Sequence, residues 1–298
     1  MNTDISLKGC FPPIPTPFDA QGRVDRDHLA SNLDSWQKTP LSGFAVLGSN
    51  GEAALLREAE KLQVWKTAHE VIDDDHLFIA GTGCESTLET LELTEKAAGI
   101  GADAALVVTP HYYKARMDRR ALVTHYTAIA DRSPIPVIIY NVPASTGLDV
   151  SADVIIELSP HLNIIGLKES SGNVVKMGQV VAGAGHGFQV LAGSGSFLLP
   201  GLAVGAVGGV MALASVAPHE LNEIVASFEK GDLKKAGEVQ LRLIAPNAAV
   251  TSQFGIAGLK SAVDLVGMYG GPVRPPLLPL EPAQQEELKR ILQKAKLL

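Results

Sequence analysis

The segment Asn163-Ile164-Ile165-Gly166-Leu167-Lys168-Glu169-Ser170 places a lysine inside an apolar, β-branched run. Such a run is typical of a strand that is buried on both faces, as parallel strands covered by helices are. Burial disfavours the ammonium form and can lower a lysine pKa by about 3–5 units, which leaves an amine that attacks carbonyl groups. Lys168 is therefore a candidate Schiff-base nucleophile. The alternative is that its alkyl chain extends to solvent from the end of the strand.

Similar runs recur along the chain at intervals of roughly 20–35 residues, about the length of one strand-plus-helix unit. Together with Ile164–Lys168 they are Cys10–Ile14, Gly43–Leu47, Leu77–Ala80, Ala104–Val108, Pro136–Tyr140, Phe188–Ala192 and Ala206–Met211. Helical spacing separates them, for example in Asp27–Gln37, Arg57–Glu70 and Ser86–Ala98. Eight such units predict an α/β fold, a TIM (β/α)8 barrel. An open doubly wound sheet is the alternative, but no Gly-x-Gly-x-x-Gly follows the early strands.

The spacing of strands ends near Ser215, and the remainder reads as helical. We predict helices over Glu220–Phe228, Leu233–Ile244 and Ala283–Lys296, with Pro272–Pro279 as a turn. The expected division is a barrel over residues 1–215 and a C-terminal helical extension over residues 216–298 that packs on it.

Charge and composition favour small-molecule partners. The formal net charge is −7 and basic residues do not cluster, which argues against a nucleic-acid or anionic-membrane surface. No apolar stretch is long enough to predict a membrane span. Two isolated cysteines, Cys10 and Cys84, predict neither a disulfide framework nor a zinc site. The N-terminus lacks a targeting pattern, so we expect a cytoplasmic protein.

Polar residues follow the predicted strands at the end where barrel enzymes carry their chemistry. The turn Gly48-Ser49-Asn50-Gly51-Glu52 follows the second strand and predicts a helix start whose N–H groups could hold a carboxylate. The fourth strand leads into Thr109-Pro110-His111-Tyr112-Tyr113, and the fifth into Tyr140-Asn141-Val142-Pro143. Taken singly, these are equally an N-cap turn and rim tyrosines. A tyrosine beside a buried lysine, however, can carry the protons that imine formation requires.

These motifs resemble the dihydrodipicolinate synthase and N-acetylneuraminate lyase family of class I aldolases over essentially the whole chain. Gly48–Glu52 is similar to the family's Gly-Thr-Thr-Gly-Glu turn, and Tyr140–Pro143 and Gly166–Glu169 match its tyrosine and Schiff-base motifs. The resemblance implies a pyruvate imine on Lys168, with Tyr140 as general acid and base. It also implies that Ser49 and Tyr112 complete a proton relay, and that no metal or cofactor is used.

The resemblance further implies an oligomer, since the tyrosine that matches Tyr112 reaches in from a neighbouring subunit in a dimer, commonly within a homotetramer. Pyruvate's carboxylate would lie on Ser49 and Asn50. The implied substrate-binding residues are Ser49, Asn50, Ser145, Ser170 and Gly193.

The acceptor aldehyde depends on residue 145. The synthase pattern Tyr-Asn-Val-Pro-x-Arg-Thr-Gly places an arginine where this chain has Ser145, and a hydroxyl cannot make the bidentate contact of a guanidinium with a carboxylate. Other segments resemble 4-hydroxy-2-oxoglutarate aldolases more closely. They include Gly83-Cys84-Glu85-Ser86-Thr87, Tyr112–Met117, Pro143–Asp149, Pro246–Thr251 and Tyr269-Gly270-Gly271-Pro272.

We therefore expect cleavage of 4-hydroxy-2-oxoglutarate to pyruvate and glyoxylate, with Asn50 and Ser170 near the aldehyde-side acid. The alternatives are a 2-keto-3-deoxy sugar acid aldolase and 4-hydroxy-tetrahydrodipicolinate synthase, which joins pyruvate to aspartate semialdehyde. A non-catalytic ketoacid-binding barrel is a further alternative, which has no need of both Lys168 and Tyr140.

Overall fold

The computed structural model describes residues 5–298, and in that range eight parallel strands form a ring surrounded by helices. The strands are β1 (Gly9–Phe11), β2 (Gly43–Val46), β3 (Leu77–Gly81), β4 (Ala104–Val108), β5 (Val137–Asn141), β6 (Ile164–Glu169), β7 (Gln189–Ala192) and β8 (Gly208–Val210). From β2 to β8 each strand pairs with the next along the chain, and β8 pairs with β1. The Ala45 N–H donates to Pro12 O at 3.0 Å, which joins β2 to the chain just after β1 and closes the ring. The predicted TIM (β/α)8 barrel is confirmed.

Helices follow the strands and cover their outer faces. They are α1 (Arg26–Gln37), α2 (Glu58–Val71), α3 (Thr87–Ile100), α4 (Arg119–Arg132), α5 (Pro143–Thr146), α6 (Ala152–Leu158), α7 (Val174–Gly183), α8 (Leu198–Ala203), α9 (Pro218–Glu229), α10 (Leu233–Ala248), α11 (Gly255–Leu265) and α12 (Pro282–Lys294). None of the helices within residues 5–298 is both long and apolar enough to cross a bilayer.

Two hydrophobic clusters account for the apolar character of the strands. The smaller fills the barrel interior and includes Phe11, Ile79 and Ile138, while the larger packs the outward strand residues, such as Ile139 and Leu167, against the helices. Both strand faces are therefore buried, which is why the sequence reads as continuous apolar runs.

The C-terminal helices pack on the barrel, as predicted. Helix α9 contacts β1 and α8, and α10 lies along α9. Helix α11, which follows a π-helical segment at Ala249–Gln253, was not predicted from the sequence. The division of the chain into a barrel and a C-terminal region between residues 215 and 216 stays a prediction. Because α9 packs on β1, we propose as an alternative that the barrel ends after α9.

Candidate active site

A cavity of about 620 Å³ opens at the C-terminal ends of the strands. Ser49, Tyr140 and Ser145 line it, together with Ile256 and Leu277 from the C-terminal region. A cavity of about 740 Å³ lies at the opposite end of the barrel, but none of the predicted site residues lines it. Barrel enzymes carry their chemistry at the C-terminal end, so the first cavity is the candidate active site.

Lys168 and Tyr140 are partners on adjacent strands. They pair in the β5–β6 register, and the Lys168 Nζ lies 4.0 Å from the centroid of the Tyr140 ring. Lys168 is only 3% exposed, so the alternative of an alkyl chain extended to solvent is wrong. An amine held against a tyrosine in a buried setting is suited to attack a carbonyl beside a proton donor.

A bulge in β6 makes this pairing possible. The register shifts between Val137, which pairs with Ile164, and Ile138, which pairs with Gly166, so Ile165 is an extra residue. A shift of one residue turns every later side chain to the other face of a strand. Without the bulge, Lys168 would face the outer helices rather than share the inner face with Tyr140.

The Ser49 turn places a hydroxyl beside Tyr140, since the Ser49 Oγ lies 3.3 Å from the Tyr140 Oη. Two residues with left-handed backbone, Leu47 (φ 65°) and Glu52 (φ 55°), flank this turn. Such a conformation costs a non-glycine residue on the order of 1–2 kcal/mol, and strain of this kind is concentrated at functional sites. Gly81 permits the close approach of Leu47, because a Cβ on Gly81 would lie 2.1 Å from the Leu47 carbonyl oxygen.

The helix start predicted at this turn is a 3₁₀ turn rather than the beginning of an α-helix. Two 3₁₀ turns occupy Ser49–Gly51 and Ala53–Leu55, and α2 begins at Glu58. The left-handed backbone of Glu52 interrupts the helical path, because an α-helix requires negative φ. Side chains and short turns, rather than the N-terminus of α2, are what this segment offers to a substrate.

A buried ion pair attaches the turn to the C-terminal region. The Lys260 Nζ lies 2.6 Å from Glu52 Oε1, and the Arg274 backbone N–H donates to Glu52 Oε2 at 2.8 Å. Burial lowers the pKa of Lys260, while the Glu52 carboxylate opposes that effect. The sequence motif contains Glu52, but no local pattern connects Lys260 or Arg274 to it, so neither residue was predicted.

Tyr112 does not lie in the cavity of its own chain. Its side chain is 77% exposed, and its ring packs edge-on against Tyr113 with centroids 5.1 Å apart. The Glu85 carboxylate accepts the Tyr112 N–H at 2.8 Å and so fixes the loop. Within one chain, therefore, the structure does not join Tyr112 to Ser49 and Tyr140.

The remaining predicted binding residues lie at neighbouring strand ends. Ser170 follows β6 and Gly193 follows β7, and a Cβ on Gly193 would lie 1.9 Å from Ser170 Oγ. That Oγ is buried without a hydrogen-bond partner among the described residues. Asn50 is partly buried, and neither it nor Ser170 and Gly193 lines the cavity.

Fold and site together define a carbon–carbon lyase of the aldolase type, built on a barrel that carries a buried lysine beside a tyrosine. Residues 6–295 match the model of the "Dihydrodipicolinate synthetase family". The chain belongs to this family.

Known relatives match along nearly the full length. The 4-hydroxy-tetrahydrodipicolinate synthase of Methanothrix thermoacetophila is 38% identical over 291 residues, which cover 97% of each protein. The crystal structure of dihydrodipicolinate synthase DapA-2 from Bacillus anthracis superposes with a TM-score of 0.93 at 30% identity, covering 97% of this chain and 98% of that one. YagE from E. coli K12, solved in complex with pyruvate, gives a TM-score of 0.92 at 28% identity, with 99% and 100% covered.

Proposed function

We propose that Lys168 forms a Schiff base with pyruvate and that the chain makes or breaks a carbon–carbon bond between pyruvate and an aldehyde. The observation that carries this proposal is the placement of Lys168 Nζ 4.0 Å from the Tyr140 ring, with Ser49 Oγ 3.3 Å from the Tyr140 hydroxyl. The pyruvate bound in the YagE structure supports the same ligand.

In the proposed chemistry, the Lys168 amine attacks the C2 carbonyl of the 2-oxo acid, and Tyr140 supplies the proton with which water leaves the carbinolamine. In cleavage of a 4-hydroxy-2-oxo acid, the C4 hydroxyl gives its proton to Tyr140 as the C3–C4 bond breaks, the iminium accepts that electron pair, and the aldehyde leaves. Protonation of the resulting enamine at C3 restores the imine. In condensation, the pyruvate iminium loses a C3 proton to Tyr140, and the enamine carbon attacks an aldehyde, whose oxygen takes up a proton. Ser49 takes or returns the Tyr140 proton, and hydrolysis of the imine releases the product and regenerates Lys168.

Two acceptors are supported by different observations. The synthase relatives favour aspartate semialdehyde, and 4-hydroxy-tetrahydrodipicolinate synthase is the activity that these comparisons support best. Ser145, which lines the cavity where the synthase pattern has arginine, argues against aspartate semialdehyde. A neutral side chain there cannot pair with the carboxylate of aspartate semialdehyde. The likeness of other segments to 4-hydroxy-2-oxoglutarate aldolases is what favours 4-hydroxy-2-oxoglutarate cleavage.

Tyr112 extends the proposal to the assembly. We infer that its exposed ring enters the cavity of a second copy of the chain and completes a relay with Ser49 and Tyr140. Its exposure and its absence from the chain's own cavity support a dimer, which can pair further into a tetramer.

Two measurements test the proposed function. Borohydride added with pyruvate should place a reduced pyruvyl group on Lys168, and active protein with an unmodified Lys168 would contradict the imine. Assays with aspartate semialdehyde plus pyruvate, with 4-hydroxy-2-oxoglutarate, and with a 2-keto-3-deoxy sugar acid should then rank the acceptors by kcat/KM. Absence of turnover on the whole panel, without an adduct, would favour a binding protein.

A further inference from the structure

The residues that follow Tyr140 and Lys168 occupy the outer face of the same strands. Side chains alternate along a strand, so Asn141 and Glu169 point away from the barrel interior, and they pair with each other in the β5–β6 register. Both are 0% exposed, although neither is apolar. A buried carboxylate that follows the lysine on the same strand needs hydrogen-bonding or charged partners that offset the free-energy cost of its burial.

Those partners link the two strands. The Asn141 Nδ2 donates to Glu169 Oε2 at 2.9 Å, and Asn141 Oδ1 accepts the Val150 N–H at 3.0 Å. Glu169 Oε1 accepts the Ser171 N–H at 2.6 Å. Asn141 thus spans from β5 to the carboxylate of β6, one residue beyond the Tyr140–Lys168 pair.

Lys176 completes the arrangement from helix α7. Its Nζ lies 3.0 Å from Glu169 Oε2 and also pairs with Asp149, and its side chain is almost fully buried. Lys176 stands in the first turn of α7, where the helix dipole favours anions rather than cations. The position is unfavourable for a lysine unless the carboxylates it meets compensate, so its placement depends on Glu169 and Asp149.

Asp149 extends the arrangement to the loop after β5. It accepts the Asn141 Nδ2 at 2.8 Å and lies four residues beyond Ser145. Unlike Glu169, the Asp149 side chain is 51% exposed. The loop that carries Ser145 is therefore tied to the same buried group that joins β5 to β6.

We propose that Asn141, Glu169 and Lys176 form a buried clamp that fixes the distance between the Lys168 amine and the Tyr140 ring. Glu169 is then a positioning residue for imine chemistry, because it touches no substrate and acts through the two strands. This inference rests on the proposed pyruvate imine but not on the identity of the acceptor aldehyde. Displacement of a reacting group by about 1 Å can reduce turnover by about a hundredfold, so a clamp at this point affects rate directly.

The test uses exchange of the pyruvate methyl protons with D2O, followed by NMR, because this exchange needs only the imine and its enamine. The variants are Glu169→Gln and the double variant Glu169→Gln/Lys176→Met, in the full chain. Asp103→Asn is the matched control, since its carboxylate accepts the Phe78 N–H at 2.7 Å at the other end of the barrel. Denaturant midpoints are measured in parallel.

Glu169→Gln should have a lower denaturant midpoint and slower exchange of the pyruvate methyl protons. The kcat for exchange should be about 10–100-fold lower, whereas KM for pyruvate should change less. The double variant also removes the Lys176 ammonium, which in Glu169→Gln keeps only the half-exposed Asp149 as a charged partner. It should therefore recover stability relative to Glu169→Gln yet stay slow, because Asn141 still lacks its carboxylate. Asp103→Asn should leave exchange at the wild-type rate. If Glu169→Gln fails to fold, Asp149→Asn, which alters a half-exposed member, should show a smaller loss of exchange.

If the double variant recovers exchange together with stability, the clamp contributes to folding only and does not position Lys168 and Tyr140. That result would overturn the inference. Wild-type exchange in both Glu169 variants would overturn it as well. Absence of exchange and of a borohydride adduct in the wild type would instead refute the pyruvate imine itself, and the inference with it.

Discussion

Glu52 and Lys260 form an ion pair of 2.6 Å that joins the Ser49 turn of the barrel to helix α11, and neither side chain is more than 1% exposed. The Lys260 Nζ also donates to the Pro272 carbonyl at 2.7 Å and lies 4.2 Å from the centroid of the Phe18 ring. The C-terminal helices therefore hold a turn of the candidate active site through charge as well as through packing.

Lys260→Met should be severely destabilising, because it leaves the Glu52 carboxylate buried without its cation. Breaking one partner of a buried pair costs about 3–5 kcal/mol, which urea denaturation measures. The double variant Glu52→Gln/Lys260→Met should be more stable than Lys260→Met alone. Equal losses in the two proteins would show that the unpaired Glu52 carboxylate is not the cause of the destabilisation.

Tyr140→Phe should fold normally and lose turnover by about 10²–10⁴-fold, since it removes the proposed acid and base but keeps the ring. Steady-state kinetics and circular dichroism measure the two effects. Tyr113→Phe is the control, because Tyr113 is exposed and does not line the cavity. A normal kcat in Tyr140→Phe would exclude its role in proton transfer.

Ser145→Arg should shift preference toward aspartate semialdehyde. A charge-assisted contact with the substrate carboxylate contributes about 1.5–3 kcal/mol, so kcat/KM for this aldehyde should rise about 10–100-fold. Ser145→Met supplies length without charge and should not produce the rise. If wild-type kcat/KM already equals that of Ser145→Arg, residue 145 does not select the acceptor.

Tyr112→Phe and Lys168→Ala should each be nearly inactive alone but active when mixed. If Tyr112 serves the neighbouring subunit, a mixed dimer contains one site with both residues intact, and a 1:1 mixture that exchanges subunits should recover about a quarter of wild-type activity. Sedimentation should show at least a dimer. No recovery after demonstrated subunit exchange would place Tyr112 outside the relay.

Stability should fall in mild acid because of His125. Burial lowers the pKa of His125 from 6.5 to about 4, against a weaker opposing effect of Glu85. Between these values the unfolded chain binds a proton that the folded chain does not, so the free energy of unfolding drops by about 3 kcal/mol as pH falls from 6.5 to 4.

His125→Gln should remove the drop in the free energy of unfolding between pH 6.5 and 4. The measurement compares the free energies of unfolding of the variant and the wild type at each pH. The amide can keep the contact with Thr87 Oγ1, which lies 2.8 Å from His125 Nδ1. Parallel curves for the two proteins would contradict a depressed pKa for His125.

Much of this protein could be predicted from its sequence, because the relevant signals are local. The apolar runs and their spacing predicted the barrel, since burial on both faces leaves a continuous pattern in each strand. Lys168, Tyr140 and the Ser49 turn stood out because each breaks or ends such a run. The site geometry then brought Ser49 and Tyr140 within hydrogen-bonding distance.

Other features depended on residues far apart in the chain. Arg274 donates to Glu52 across 222 residues, and no local periodicity records such a contact. Tyr112 is named by its motif, but only the folded chain shows that it points away from its own cavity. The clamp could not be predicted from the sequence. Asn141 and Glu169 end their strands, and the sequence alone does not show which face of each strand points outward.

The sequence by itself determined the barrel and the residue types at its mouth, because hydrophobic periodicity and strand-end motifs are encoded within a few neighbouring residues. The tertiary structure decided which of those residues face one another. The bulge at Ile165 sets the register in which Lys168 meets Tyr140, and strand register depends on the neighbouring strand. One extra residue in β6 therefore places the amine inside the barrel and its neighbour Glu169 outside it.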